Sequence, residues 1–195
     1  MNKFVIAVIL LFFMVSCAQA PKQQTSVAPD EQALEKGLKL LANPEVSDKK
    51  TALPSFEKAC NLGNNYGCHK MGIAYNNGLY DLNQDYDRAR QWYLKAAEKG
   101  YIPSQQNIAN LYAHRLLGEL NDVEGYKWLA LAETGTAQCL PGSIEAERGV
   151  SDAERRRLCN LATAGQGRIR SIFRKRMLPE EIAQAEQLAK KWQPK

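Results

Sequence analysis

A short internal repeat constrains the fold of this chain more than any other feature. Three segments align without gaps, and in each an aromatic residue is followed seven positions later by a glycine. The aromatic residues are Phe56, Tyr93 and Trp128, and the glycines are Gly63, Gly100 and Gly135. The glycines are 37 and 35 residues apart. Such a period is typical of solenoids, in which each repeat is one supersecondary unit that shares its core with its neighbours.

Both elements of the repeat have helical spacing. Residues at intervals of three and four fall on one helix face, namely Tyr86, Ala89, Tyr93 and Ala96. Asp85 is placed to cap the start of this helix, and Gly100 to end it in a left-handed conformation. The preceding helix ends at Gly78. No segment alternates with the period of two that strands show, so the sequence predicts an all-α fold, a short α-solenoid of antiparallel helix pairs.

The sequence MGIAYNNG, followed by DYDRARQWYLKAAEKGYIPSQQNIANLY, resembles the Sel1-like repeat, a short relative of the tetratricopeptide repeat. The match covers most positions from Met71 to Gly100 and recurs more weakly from Ile108 to Gly135. The resemblance divides residues 33–195 into a degenerate repeat (33–65), two repeats (66–101 and 102–138) and an irregular helical region with a cap (139–195). The C-terminal segment of the chain, LPEEIAQAEQLAKKW, is similar to the closing helix of bacterial members of the family. In the degenerate first repeat, Pro54 is expected early in the second helix.

The N-terminus is typical of an export signal. Lys3 precedes an apolar run over residues 4–15, which is too short for a bilayer-spanning helix of about 20 residues. The run ends before Cys17 in a sequence that resembles the lipobox of bacterial lipoproteins. Residues 1–16 would then be a signal peptide, Cys17 the lipidated N-terminus, and residues 17–32 a flexible tether. A cut after Ala20 is the alternative, although Pro21 disfavours it.

The lipobox also predicts a location. Ala18 follows the cysteine, where lipoproteins retained at the inner membrane usually have Asp. By this resemblance the chain would be anchored to the outer membrane and face the periplasm.

The cysteine count fits an oxidising compartment. Lipidation of Cys17 would leave four cysteines, Cys60, Cys68, Cys139 and Cys159, for which three pairings exist. Cys60 and Cys68 lie at adjacent ends of consecutive predicted helices, and their spacing matches the disulfide of the cysteine-rich members of the family. Cys139 and Cys159 are paired by elimination.

Tetratricopeptide-type stacks line their concave face with the first helix of each pair. Transferring that face predicts a groove of polar side chains suited to an extended peptide backbone, formed by His69, Asn76, Asn77, Gln106, Asn110 and His114. The alternative is an ordinary solvated helix surface.

Charge is concentrated near the C-terminus. Residues 148–195 carry twelve Lys and Arg against five Asp and Glu, whereas residues 17–147 have a small negative balance. The densest basic runs are Arg155, Arg156, Arg157 and Arg174, Lys175, Arg176. They could meet anionic lipid or glycan, or they could be a solvated helix face. Export argues against a nucleic acid partner.

Signals for catalysis are weak. Ser47 with Lys50, and Ser55 with Lys58, have the Ser-x-x-Lys spacing of penicillin-recognising enzymes, but the companion motifs are absent. With only His69 and His114 as histidines, no metal site is expected, and no cofactor is predicted. The sequence therefore predicts a lipid-anchored scaffold that binds a protein or peptide in the cell envelope. Penicillin binding or weak β-lactamase activity, described for some cysteine-rich relatives, is the alternative.

Overall fold

A computed structural model of the chain describes residues 27–45, 48–118, 120–137 and 152–195, without the side chains of residues 136–137 and 152–162. This part of the chain contains eight α-helices and no strand. The helices are α1 (Pro29–Ala42), α2 (Leu53–Asn61), α3 (Asn65–Asn77), α4 (Tyr86–Ala97), α5 (Ile102–Ala113), α6 (Asp122–Ala137), α7 (Asp152–Arg174) and α8 (Pro179–Lys191). A 3-10 turn, Lys49–Ala52, precedes α2. The predicted all-α fold is therefore confirmed.

The first helix pair begins earlier than the sequence predicted. Helix α1 starts at Pro29, where a proline in the first turn followed by Asp30 and Glu31 favours a helix N-terminus. The predicted end of the tether at Gln32 is therefore wrong. Helix α1 packs against α2, and Gly37 leaves room for the Phe56 ring, because a Cβ at Gly37 would lie 2.7 Å from it.

The second pair follows the predicted caps closely. The Asp85 side chain accepts a hydrogen bond from the Arg88 backbone N–H at 2.9 Å and so caps α4, as expected. Gly78 and Gly100 both adopt positive φ angles, of 59° and 86°, where glycine is free of Cβ strain. Gly72 lies directly under the Tyr93 ring, which repeats the relation of Gly37 to Phe56.

The third pair departs from the pattern at its last glycine. Helix α6 continues through Gly135 to Ala137 instead of ending there, and Gly135 gives room to the Ile102 side chain. Near the start of α6, Gly125 lies against Tyr112 and Phe173. Helix α6 contacts α5, α7 and α8, and it is therefore the central helix of the C-terminal half.

Helices α7 and α8 both contact α6 and complete the core. Phe173 near the end of α7, Met177 in the turn that follows it and Ala185 of α8 are buried in the cluster that includes Tyr93 and Tyr112. As predicted, the last helix opens at Leu178 and Pro179, and the Glu181 carboxylate accepts from the Leu178 backbone N–H at 2.7 Å. In the described residues, α7 and α8 scarcely touch each other.

The C-terminal tail returns to the middle of the array. The Trp192 ring packs edge-on against Trp128, with 6.4 Å between ring centroids. The backbone N–H of Lys195 donates to the Glu98 carbonyl at 2.8 Å, and its ammonium lies 2.9 Å from the Glu98 carboxylate. The tail therefore joins the end of the chain to the end of α4.

Candidate functional site

The first helices of the second and third pairs share a row of exposed and partly exposed positions. In α3 these residues are Tyr66, Lys70, Ile73 and Asn77. The same positions in α5, each 37 residues later, are Pro103, Asn107, Asn110 and His114. In each set the last of the four residues is exposed and the other three are partly exposed. The residues between these positions are largely buried. We call these eight residues the first-helix stripe.

The stripe combines amide, aromatic and cationic groups. Asn77 and Asn110 each carry an amide that donates and accepts hydrogen bonds, whereas the Asn107 side chain is hydrogen-bonded to Tyr93. The Lys70 ammonium lies 4.8 Å from the centroid of the Tyr66 ring, close enough for a cation–π contact. This mixture can bind peptide groups through the amides and apolar side chains through the ring.

The predicted groove residues divide between this stripe and its margins. Asn77, Asn110 and His114 belong to the stripe, and Asn76 lies one residue before Asn77 and donates to its side-chain oxygen at 3.0 Å. Gln106 is partly covered by α7, because a Cβ at Gly165 would lie only 2.7 Å from the Gln106 Nε2 atom. The sequence prediction missed Tyr66, Lys70, Ile73 and Asn107, which a 4-3-4 spacing from Asn77 would have found.

His69 does not line the predicted groove, because its side chain is buried. Its side chain is 7% exposed, and its Nδ1 lies 2.9 Å from the Ser104 hydroxyl, which is itself fully buried. The rings of Tyr93 and Tyr101 surround it, with centroids 5.5 and 5.2 Å away. Burial, aided by the nearby charge of Lys70, lowers the pKa of His69 to about 4. Because α3 turns this position inward, His69 joins α3 to α5 and does not face an open groove.

Arg176 does not belong to an exposed basic patch, because its guanidinium is held in a network of hydrogen bonds. Its guanidinium donates to both carboxylate oxygens of Asp122, at 2.6 and 2.5 Å, and to the carbonyls of Ala113 and Tyr112 at 2.8 and 3.1 Å. It therefore holds the turn between α5 and α6 to the end of α7. Arg174 and Lys175 are exposed, as a basic surface requires. The side chains of Arg155, Arg156 and Arg157 lie outside the described residues.

The predicted disulfide between Cys60 and Cys68 is confirmed. It joins the end of α2 to the start of α3, with 4.6 Å between the Cα atoms. Cys17, Cys139 and the side chain of Cys159 lie outside the described residues, so the lipidation site and the second pairing remain predictions.

The Ser-x-x-Lys motifs gain no support as catalytic sites. Ser55 is buried in α2, whereas Lys58 is exposed on the same helix. A nucleophilic serine must be reached by its substrate, which the burial of Ser55 prevents. Ser47 lies outside the described residues. Among the residues that are described, no group of three or more His, Cys, Asp or Glu side chains is arranged to hold a metal ion. None of the described helices is both long and apolar enough to cross a membrane.

Comparisons with known proteins agree with the repeat geometry. The sequence model of the Sel1 repeat family matches residues 65–101, which comprise α3, α4 and the turn that follows. A stretch of 58 residues is 36% identical to the ERAD-associated E3 ubiquitin-protein ligase component HRD3A of Arabidopsis thaliana. That stretch is 30% of this chain but 9% of the plant protein.

The fold is similar to that of a protective antigen present in uropathogenic Escherichia coli strains, whose crystal structure displays an SLR (Sel1-like repeat) fold. The similarity covers 84% of this chain with a TM-score of 0.60 and 20% sequence identity. This chain spans 29% of the length of that protein. The chain therefore carries one matched Sel1 repeat, and its described residues have the fold of a short helical-repeat solenoid.

Proposed function

We propose that this protein is a lipid-tethered scaffold that binds an extended segment of another protein along the first-helix stripe, in the bacterial cell envelope. The observation that carries the proposal is the repetition of the stripe. Two consecutive first helices present the same four partly exposed positions in the same register, while their other faces form the core. A repeated row of this kind can bind a chain along its length, as solenoids do on their extended surfaces.

The chemistry of the stripe favours a polypeptide over a small molecule. Asn77 and Asn110 place an amide on each helix, and these amides can pair with a peptide N–H or C=O. Ile73 and Tyr66 add apolar area between these polar groups. The plant relative is described as a component of a ubiquitin ligase, which is consistent with association with other proteins.

The location in the envelope rests on the N-terminal sequence. An apolar run of signal-peptide length precedes Cys17, and lipidation of Cys17 would leave an even number of cysteines for disulfides. The Cys60–Cys68 bridge is consistent with an oxidising compartment. Mass spectrometry of the mature protein should find a lipidated Cys17, whereas a mature chain that begins at Pro21 would contradict the anchor.

Photocrosslinking tests the binding surface. A photoreactive amino acid at Asn110 should crosslink the full chain to a distinct protein in envelope extracts. The matched control places the same group at Gln91, which is exposed on the second helix of the preceding pair. Equal crosslinking from both positions, or none from Asn110, would show that the stripe does not bind a protein.

A further inference from the structure

Helix α7 lies beside α5 in the position of a further first helix. Gly165 of α7 lies against the Gln106 side chain near the start of α5, where a Cβ at Gly165 would come within 2.7 Å of the Gln106 Nε2 atom. Arg176, just after α7, donates to the carbonyls of Tyr112 and Ala113 at the end of α5. Sequence numbers therefore increase in the same direction along both helices. Helices α5 and α7 run parallel, as consecutive first helices of antiparallel pairs do.

The contacts of these helices also show which of their residues correspond. His69 of α3 contacts Ser104 of α5. Gln106 occupies the repeat position of His69, 37 residues later, and it contacts Gly165 of α7. Gly165 therefore corresponds to Ser104, which gives a shift of 61 residues from α5 to α7. The same shift aligns two buried glutamines, each 2% exposed, which are Gln105 and Gln166.

In this register the first-helix stripe continues onto α7. Shifted by 61 residues, the four stripe positions of α5 become Ala164, Arg168, Ser171 and Lys175, of which Lys175 directly follows the helix. We call these four residues the α7 row, and all of them are exposed. On the other side of α7, Ile169 and Phe173 are buried in the core, as are the residues of α5 to which they correspond. The stripe therefore has a third row.

The α7 row differs from the row on α5 in charge. It carries two cations, Arg168 and Lys175, whereas the row on α5 has no Lys, Arg, Asp or Glu. Residues 163–178 and the whole of α5 contain no Asp or Glu. Within the part of the chain that the structure describes, neither Arg168 nor Lys175 forms an ion pair. Both cations are therefore available to a carboxylate of a bound chain.

Carboxylates on the neighbouring elements are mostly engaged elsewhere. The three acids of α6 are each bonded within the array, Asp122 to Arg176, Glu133 to Arg170 and Glu124 to Lys127. Glu186 of α8 also acts on Arg170, which lies two positions from Arg168 and so on a different face of α7. At the start of α8, Glu181 accepts from the Leu178 backbone, and Glu180 is exposed. With Arg174 exposed beside the row, the local field is positive.

We propose that the segment bound along the first-helix stripe also crosses the α7 row and carries acidic side chains there, which pair with Arg168 and Lys175. This inference rests on the proposed function and names the charge of the segment that the stripe selects. Parallel helices lie about 10 Å apart, and an extended chain advances about 3.3 Å per residue. The acidic side chains should therefore follow or precede the contact with Asn110 by about three residues.

A library of random 12-residue peptides displayed on phage tests this proposal on the full chain. Peptides that bind the protein but not its Asn77→Arg variant occupy the stripe. We expect these peptides to be enriched several-fold in Asp and Glu, relative to the unselected library, in the part that crosses α7. Stripe-binding peptides without such enrichment would overturn this inference and leave the proposed function standing. If no selected peptide depends on Asn77, the proposed function fails and this inference fails with it.

Charge reversal locates the acidic contact on the α7 row. Arg168→Glu and Lys175→Glu each alter an exposed residue, so folding should be preserved, and each should weaken binding of the selected peptides by about five-fold. Arg174→Glu is the matched control, because Arg174 is an equally exposed cation that lies about 100° around the helix from Lys175. It should leave the affinity unchanged. Equal losses in Arg168→Glu and Arg174→Glu, or no loss in either, would overturn the contact with the α7 row.

Discussion

At the scale of single residues, close packing in this solenoid depends on glycines under aromatic rings. Gly72 lies beneath Tyr93, Gly37 beneath Phe56, and Gly125 against Tyr112, and a Cβ at any of the three would overlap its neighbour. These contacts let the helices approach and bring large buried rings into the core. The glycines therefore fix the distance between helices, which the repeat period alone does not determine.

Substitution of one such glycine should destabilise the protein. We expect Gly72→Ala to lower the free energy of unfolding by roughly 1–3 kcal/mol, because the added methyl group overlaps the Tyr93 ring and overpacks the core. Gly167→Ala is the matched control, since Gly167 also lies within a helix but a Cβ there would meet nothing within 4 Å. The control should stabilise by about 0.5–1 kcal/mol. Urea denaturation measures both, and equal effects would contradict this role of Gly72.

His69 should make stability depend on pH. Its pKa is about 4 in the folded state and about 6.5 when exposed, so the unfolded chain binds more protons between these values. The contribution of neutral, buried His69 to the free energy of unfolding is complete above pH 6.5. It is lost as the pH falls towards 4, by up to roughly 3 kcal/mol. Denaturation between pH 7 and 4.5 should show a shallower decline for His69→Gln than for the wild type. His114→Gln is the control, because His114 is exposed and should leave the decline unchanged.

The exposure of His69 was predicted wrongly from the sequence. His69 precedes the stripe residue Lys70 by one position, and one position is a rotation of about 100° on a helix. Polar character suggested exposure, but the Ser104 hydroxyl, 35 residues away, pairs with His69 and makes its burial acceptable. No local pattern announces such a partner. By contrast, the caps at Asp85 and Gly100 are local features, and both were predicted correctly.

At the scale of elements, one arginine connects three helices. Arg176 follows α7 and bonds to Asp122 at the start of α6 and to the last carbonyls of α5. Bidentate pairing and carbonyl contacts of this kind need the planar guanidinium, which lysine lacks. The end of α7 is therefore held in place by hydrogen bonds as well as by Phe173.

Removal of this arginine should weaken the docking of α7. We expect Arg176→Ala to destabilise the protein by roughly 1–3 kcal/mol, because the Asp122 carboxylate and two carbonyls would lose their donor. Arg174→Ala, two positions away and exposed, should change stability by less than about 0.5 kcal/mol. Thermal unfolding measures the difference. If both variants unfold at the same temperature, the network does not hold α7.

The helices could be predicted because helical spacing is a local feature of the sequence, whereas the packing of helices depends on residues far apart in the chain. The helical spacing of Tyr86, Ala89, Tyr93 and Ala96 predicts one face of α4, and the last three of these residues are buried while Tyr86 is partly buried. The role of Arg176 depends on Asp122, 54 residues earlier, and it stands in a run that looks uniformly basic.

At the scale of the whole molecule, the tail joins the last helix to the middle of the array. Deletion of residues 192–195 removes the Trp192–Trp128 contact and the bonds from Lys195 to Glu98. We expect a loss of roughly 1–3 kcal/mol, most of it from the aromatic pair. Lys195→Ala should cost less than about 1 kcal/mol, because its ion pair is exposed. A deletion as mild as the point variant, measured by urea denaturation, would mean that Trp192 does not stabilise the array.

The proposed function places a polypeptide along the first-helix stripe. The most direct test is the affinity of the partner captured from Asn110 for full-length variants of this protein. We expect Asn77→Arg, which places a bulky charge on the stripe, to weaken this affinity by about ten-fold or more. Gln91→Arg, equally exposed but on a second helix, should leave it unchanged. Equal affinities for the two variants would contradict binding along the stripe.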